Sequence, residues 1–363
     1  MDRCDVLVVG GGIAGLSIAW RLAERAVVTL VETETELAFH ASGRSAAMLN
    51  VTSGPTAVCS LSAASRDFLQ RPPQDLGVTT LLSPRGLLWV GRSGADSLLD
   101  ALAAKAPNDS SRIEPSAVLE HAPLLVDDAL AAGGVLEPGA TEIDVPALIA
   151  ALRAAVLARG ARILPGAEAI KLRLRHGTWD VEAGAAHLAA ERIVNAAGAW
   201  GDEVARRADV APIGLEALRR TAVVLDIEES ITDWPMVMDA EGRWYLTPFD
   251  GGALVSAADE TPSRPTDARA HDHDVHLAVE RVCDAAALHV RQVRRTWAGL
   301  RTFTADRLPA IGPDPDQPSF FWLVGQGGAG IKTAPELSRL AAASVVDGTT
   351  VPSELDIARF RHP

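Results

Sequence analysis

The sequence predicts an α/β fold in which a Rossmann-like domain is interrupted by an inserted α+β domain built on an antiparallel sheet. Three observations carry this. The apolar run Val6–Val9 leads into a glycine-rich turn and a helical pattern. A second glycine-rich strand-to-helix turn follows Phe320–Val324 near the C-terminus. Between the two, residues 81–139 and 207–298 mix short alternating strands with Pro/Gly turns, such as Thr221–Asp226 and Trp244–Thr247.

The first turn, Gly10-Gly11-Gly12-Ile13-Ala14-Gly15, matches GxGxxG. Gly10 permits the tight turn, Gly12 leaves room for backbone to approach a pyrophosphate, and Gly15 lets the helix pack on the strand. The helical pattern runs through Leu16, Ala19, Trp20 and Ala23, and a second strand, Val27–Val31, ends in Glu32. A carboxylate about 20 residues beyond the glycines can accept hydrogen bonds from a ribose diol. The motif marks a dinucleotide site without separating FAD from NAD. The loop His40–Ala47 helps to decide: its small residues let a large planar ring lie close to backbone, and Arg44 offers a charged donor.

Further along, a helical pattern from Ile143 stops at Arg159-Gly160, and the strand Ala161–Leu164 follows. Ala169–Leu174 and Thr178–Glu182 alternate around His176-Gly177 as a hairpin, and Arg192–Asn195 reads as a buried strand entering Ala196–Trp200. The first domain therefore resumes after an insertion. Its expected extent is residues 1–80, 140–206 and 299–363, with a substrate domain at 81–139 and 207–298. The last glycine turn, Gly325–Ile331, gives a second helix N-terminus that can face an anion.

Composition narrows the class. At 363 residues, 48% apolar and 22% charged, the chain has room for two folded units with sizeable cores. A formal charge of −13 argues against a nucleic-acid partner. No stretch approaches the roughly 20 apolar residues of a membrane span. The first strand starts by Asp5, leaving no room for a leader, so the chain is read as cytoplasmic. Cys4, Cys59 and Cys283 are scattered and odd in number, which suits neither a disulfide framework nor a metal site.

The GGGIAG turn with Glu32, the loop ASGRSAA, NAAGAW, ADRLPAIGP and GQGGAGI occur in one order. Together they resemble the FAD-dependent D-amino-acid oxidase and dehydrogenase (DAO) family, and within it the bacterial D-arginine dehydrogenase branch. The resemblance covers nearly the whole chain. It implies a Rossmann-like FAD-binding domain of the glutathione-reductase/DAO type holding FAD non-covalently. By match, Gly10, Gly12, Ala14 and Gly15 would hold the pyrophosphate, and Glu32 with Thr33 the adenosine ribose. Ala41, Ser42, Gly43, Arg44, Ser45, Ala46, Ala47 and Met48 would line the flavin, with Gly198 beside them. Ala169 would contact the adenine end. Gly327, Gly328, Ala329, Gly330, Ile331 and Lys332 would reach the pyrimidine side of the ring.

On the substrate side, Arg220 and Arg301 match positions that bind a substrate carboxylate, and Tyr245, the only tyrosine, falls beside them. Arginine suits this task because its planar fork makes paired charge-assisted hydrogen bonds. Three positions depart from the relatives: Met48 replaces a histidine, Ser53 a tyrosine, and Leu87 a glutamate that pairs with a cationic substrate side chain. Without that counter-charge a buried guanidinium costs several kcal/mol. Leu87, Met48, Met236 and Met238 therefore favour an apolar side chain over arginine or lysine.

The expected chemistry is oxidative deamination of a small or apolar D-amino acid to an imino acid, which hydrolyses to a 2-keto acid and ammonia. The residues leave open a secondary amine or a 2-hydroxy acid as substrate. They also leave open oxygen, a quinone or another carrier as electron acceptor. A flavin-binding subunit of a larger complex is the non-enzymatic alternative.

Overall fold

The computed structural model describes residues 2–361, and their backbone forms two sheet-based domains with a small third sheet where they meet. The strand Asp2–Val9 lies between Val28–Val31 and Ala186–Asn195, parallel to both. Its alternating side chains enter two cores. Val6 and Val8 pack with Leu16 and Ile18, whereas Leu7 and Val9 pack with Ile193 and Trp322. Burial on both faces is why this segment reads as an unbroken apolar run.

The first sheet has eight strands. Arg162–Leu164 extends it on one side. On the other side Ala186–Asn195 pairs with Phe320–Val324 in parallel and with the hairpin strand Thr178–Ala183 antiparallel. The hairpin turn falls at His176 and Gly177, whose φ values of 51° and 79° fit a two-residue turn with both central residues left-handed. The helices Ile13–Leu22, Val145–Ala158 and Gly330–Asp347 cover one face of this sheet. Gly160, at φ 81°, ends the second of these in the left-handed conformation the sequence predicts.

The second sheet has nine strands, among them Glu216–Ile227, Gly252–Ser256, Tyr245–Phe249, Met236–Asp239 and Leu87–Val90. It is antiparallel except where Leu87–Val90 runs parallel to Met236–Asp239. Its outer face packs Trp234 and Trp244 against the helix Asp272–Ala285. The strand Val290–Phe303 pairs along almost all of Glu216–Ile227, far beyond the short Thr221–Asp226 segment expected. It also continues past the expected boundary at 298/299, so Arg301 belongs to the substrate sheet. Among the described residues, no helix is long and apolar enough to cross a membrane.

Candidate active site

One continuous cavity of ≈ 610 Å³ lies where the domains meet, a size usual for cofactor and ligand sites. Every site residue named from the sequence lines it except Gly15, Gly43 and Leu87. Gly15 serves helix packing, as its place in the motif demands: a Cβ there would stand 1.8 Å from the Gly10 carbonyl oxygen. Gly43 does not line the cavity. Its amide donates to the Ala38 carbonyl at 2.8 Å, and a Cβ would meet that oxygen at 2.4 Å, so it closes a turn behind the loop. Leu87 is fully buried beside its strand partner Met236. It does not itself line the cavity.

The residues at one end fit an extended dinucleotide. Gly10, at φ 108°, turns the chain so closely that a Cβ would sit 2.6 Å from the Ala196 carbonyl oxygen. Gly12, ahead of the helix Ile13–Leu22, has no side chain to screen the helix N-terminus from an anion. The Glu32 carboxylate is fixed by two backbone donors, Gly11 N–H at 2.6 Å and Glu34 N–H at 2.9 Å. Its remaining lone pairs would suit a ribose diol, the role this acid takes in such motifs. Ala169 lines the cavity, but its carbonyl already accepts from Arg207 at 2.9 Å. Arg44 departs from the expected role. Its guanidinium donates to the carbonyls of Phe39, Ala268 and Ala298 and pairs with Asp267, so it braces the loop rather than offering a free donor.

The substrate end is set by strand register. Leu218 pairs with Arg301 and Arg220 with Gly299, so Arg220 and Arg301 are diagonal neighbours on one sheet face. Arg219 points to the other face, into a buried ion pair with Asp274 at 2.8 Å. Arg220 is anchored by donating to the Asp259 carbonyl at 2.7 Å, with Glu260 at 3.4 Å. Burial, followed by the nearby Arg301 charge, pushes its pKa down to about 10. The Arg301 side chain makes no hydrogen bond or ion pair among the described residues, and its guanidinium lies against Gly328. Tyr245, buried at the cavity wall, stands across from Met238 on the neighbouring strand. Met48, Met236 and Met238 form the apolar side.

Ser53 lies in the cavity wall, but its hydroxyl donates to Asn50 Oδ1 at 2.5 Å and accepts from Lys332 Nζ at 2.9 Å. It is a braced wall residue, not a free substrate contact. Lys332 also donates to Asn50 Oδ1 at 3.0 Å, and burial pushes its pKa down to about 8. Among the cavity or supporting residues that escaped the sequence reading are Asn50, Glu260, Arg307 and Glu137. Glu260 and Arg307 form an ion pair at 2.7 Å beside Arg220, from two loops distant in sequence. No local pattern announces such a meeting.

A model of the FAD-dependent oxidoreductase family DAO matches residues 5–344. Glycine oxidase of Geobacillus kaustophilus is 27% identical over 367 residues, covering 95% of this chain and 93% of that one. The crystal structure of glycine oxidase from that organism superposes with a TM-score of 0.85 at 25% identity over 100% of both chains. The crystal structure of L-proline dehydrogenase from P. horikoshii gives 0.87 at 22% identity, covering 99% of this chain and 98% of the other. Human mitochondrial dimethylglycine dehydrogenase is 27% identical over 267 residues, which are 70% of this chain and 30% of that protein. With the dinucleotide cradle and the family match in agreement, the chain belongs to the DAO family of FAD-dependent oxidoreductases.

Proposed function

We propose that this enzyme, acting on CH–NH2 or CH–NH donors, oxidises a small amine-bearing carboxylate with an apolar side chain, in the first instance a D-amino acid. The observation that carries the reading is Arg301: a guanidinium in the cavity with no side-chain partner among the described residues, diagonal to an anchored Arg220. A carboxylate placed between them gains charge-assisted hydrogen bonds and relieves the mutual repulsion of two cations.

FAD, when bound, supplies the hydride acceptor. The chain's own residues supply binding and orientation. Arg301 and Arg220 take the carboxylate, Tyr245 contributes a hydroxyl at the wall, and Met48, Met236 and Met238 receive the side chain. That wall holds no carboxylate, so a cationic substrate such as D-arginine would enter without a counter-charge. Met48 stands where a histidine base would be, and Glu260 is held by Arg307. The amine therefore loses its proton to water, and the rate rises with pH until the amine is neutral. Orientation carries much of the acceleration.

A second reading, a secondary amine such as an N-methyl amino acid or imino acid, is supported by two observations. The apolar lining of Met48, Met236 and Met238 would suit an N-alkyl group, and similar proteins include an L-proline dehydrogenase and a dimethylglycine dehydrogenase. The scattered cysteines suit a reducing, cytoplasmic setting.

Anaerobic bleaching of the oxidised-flavin absorbance tests all of this. The panel is D- and L-amino acids, proline, N-methyl amino acids and 2-hydroxy acids. Bleaching by apolar D-amino acids but not D-arginine supports the first reading, and bleaching confined to secondary amines replaces it with the second. Bleaching by hydroxy acids alone overturns both.

A further inference from the structure

The segment Asn50-Val51-Thr52-Ser53 runs from the short strand Met48–Leu49 along the cavity wall and is held from two sides by opposite charges. From the flavin domain, Lys332 Nζ donates to the Asn50 carbonyl at 3.2 Å and Oδ1 at 3.0 Å. It reaches the Ser53 carbonyl at 3.2 Å and hydroxyl at 2.9 Å. From the substrate sheet, the Glu137 carboxylate accepts from the Val51 amide at 2.8 Å and the Thr52 hydroxyl at 2.6 Å. The same Thr52 oxygen accepts from the Trp89 indole at 2.9 Å. One charge thus holds residues 50 and 53, which line the cavity, and the other holds 51 and 52, which do not.

Both groups are unfavourably placed by themselves. Lys332 and Glu137 are buried, 6% and 2% exposed, and neither touches an opposite charge among the described residues. Lys332 also occupies the first turn of the helix Gly330–Asp347, where the helix dipole opposes a cation. Burial accordingly lowers the Lys332 pKa and raises that of Glu137. Groups so disfavoured persist where the surrounding structure requires them.

We propose that Lys332 and Glu137 are a pair of positioning residues, one from each domain, that clamp the 50–53 strap and thereby fix the cavity wall formed by Met48, Asn50 and Ser53. Neither is assigned contact with the reacting atoms. Because one strap serves both, losing either partner frees the same element, and losing the second adds little. For its ligand readout alone, the inference rests on the proposed function, that a carboxylate binds in this cavity.

The test is a double-mutant cycle on FAD-loaded protein with Glu137→Gln, Lys332→Met and the combination. Amide hydrogen exchange across residues 48–54 and the Kd for acetate, read from flavin absorbance, are measured for each. Each single variant is expected to exchange about tenfold faster over the strap, the loss expected of one buried hydrogen-bonded anchor. Acetate binding should weaken by about tenfold in parallel, and the double variant should stay within about threefold of either single. Thr52→Val, which leaves both charges in place, should also accelerate exchange and serves if a charge variant folds poorly. Unchanged strap exchange in the variants, or effects that multiply in the double, would overturn the clamp. If acetate and other carboxylates fail to perturb the wild-type flavin, the substrate reading fails, while the exchange cycle still decides the clamp.

Discussion

Arg301 and Gly328 come from different domains and touch at the substrate end of the cavity. A Cβ on Gly328 would stand 2.9 Å from Arg301 Nη1, 3.1 Å from Cζ and 3.2 Å from Nε. Gly328 is exposed, and its φ does not fall in the left-handed range, so alanine is compatible with its backbone. The contact atoms belong to the end of a flexible side chain, which can shift without unfolding anything. Gly328→Ala is therefore expected to displace the guanidinium while preserving stability. The Kd for a simple carboxylate should rise by about 10- to 100-fold, the size expected from disrupting charged hydrogen bonds worth about 1.5–3 kcal/mol. Titration of flavin absorbance checks this, and unchanged affinity would remove Arg301 from the ligand site.

The two arginines should separate in their effects. Arg301 has no partner among the described residues, whereas Arg220 holds the Asp259 carbonyl at 2.7 Å. Arg301→Ala is expected to lower kcat/KM by about 10- to 100-fold, from the loss of charged hydrogen bonds of about 1.5–3 kcal/mol. Its melting temperature should hold or rise, because a cation that depresses the Arg220 pKa has been removed. Arg220→Ala should weaken binding and also lower the melting temperature, since it leaves the Asp259 carbonyl unpaired. Equal melting losses in both variants would contradict the distinction.

Much of this was legible in the sequence, for physical reasons specific to each element. Val6–Val9 and Phe320–Val324 are short apolar strands that end in glycines, and such segments have few alternatives. The hairpin at His176-Gly177 announced itself through the alternating segments on either side of a glycine-bearing pair, which the structure holds left-handed. The Glu32 position follows from the βαβ repeat. Burial and cross-sheet contacts were hidden. Residue type places an arginine in a loop, yet Arg44 spends its donors on carbonyls from Ala268 and Ala298, more than 200 residues away. The length of Val290–Phe303 was obscured because its first half is exposed and carries a run of arginines. The Lys332–Glu137 arrangement joins residues 137 and 332 through a strap at 50–53, and no window of sequence contains all three.

Lys332 also predicts an alkaline signature. Its pKa falls from the ordinary 10.5 to about 8 in the folded protein. Between about pH 8 and 10.5 the unfolded chain therefore binds a proton that the folded chain has released. Stability from this group rises with pH across that window and is lost as pH falls through about 8. Melting temperatures of wild type and Lys332→Met, compared from pH 7.5 to 10.5, should diverge in favour of wild type as pH increases. A pH-independent difference would show that the ammonium carries no burial penalty.

Leu87 offers a test of how far a position in a sequence pattern dictates a pocket. A glutamate at this position would supply the counter-charge for a cationic side chain if the position faced the cavity. Here Leu87 is fully buried among Met48, Trp89 and Tyr245, and its cross-strand partner is Glu137. Leu87→Glu would thus place a second carboxylate directly opposite one whose pKa burial already raises. Neither has a cation in contact among the described residues, so the substitution should cost several kcal/mol of stability. The expected result is a large fall in melting temperature with no bleaching of the flavin by D-arginine. A variant that melts like wild type and is reduced by D-arginine would show that Met236 moves aside and that position 87 can reach the ligand.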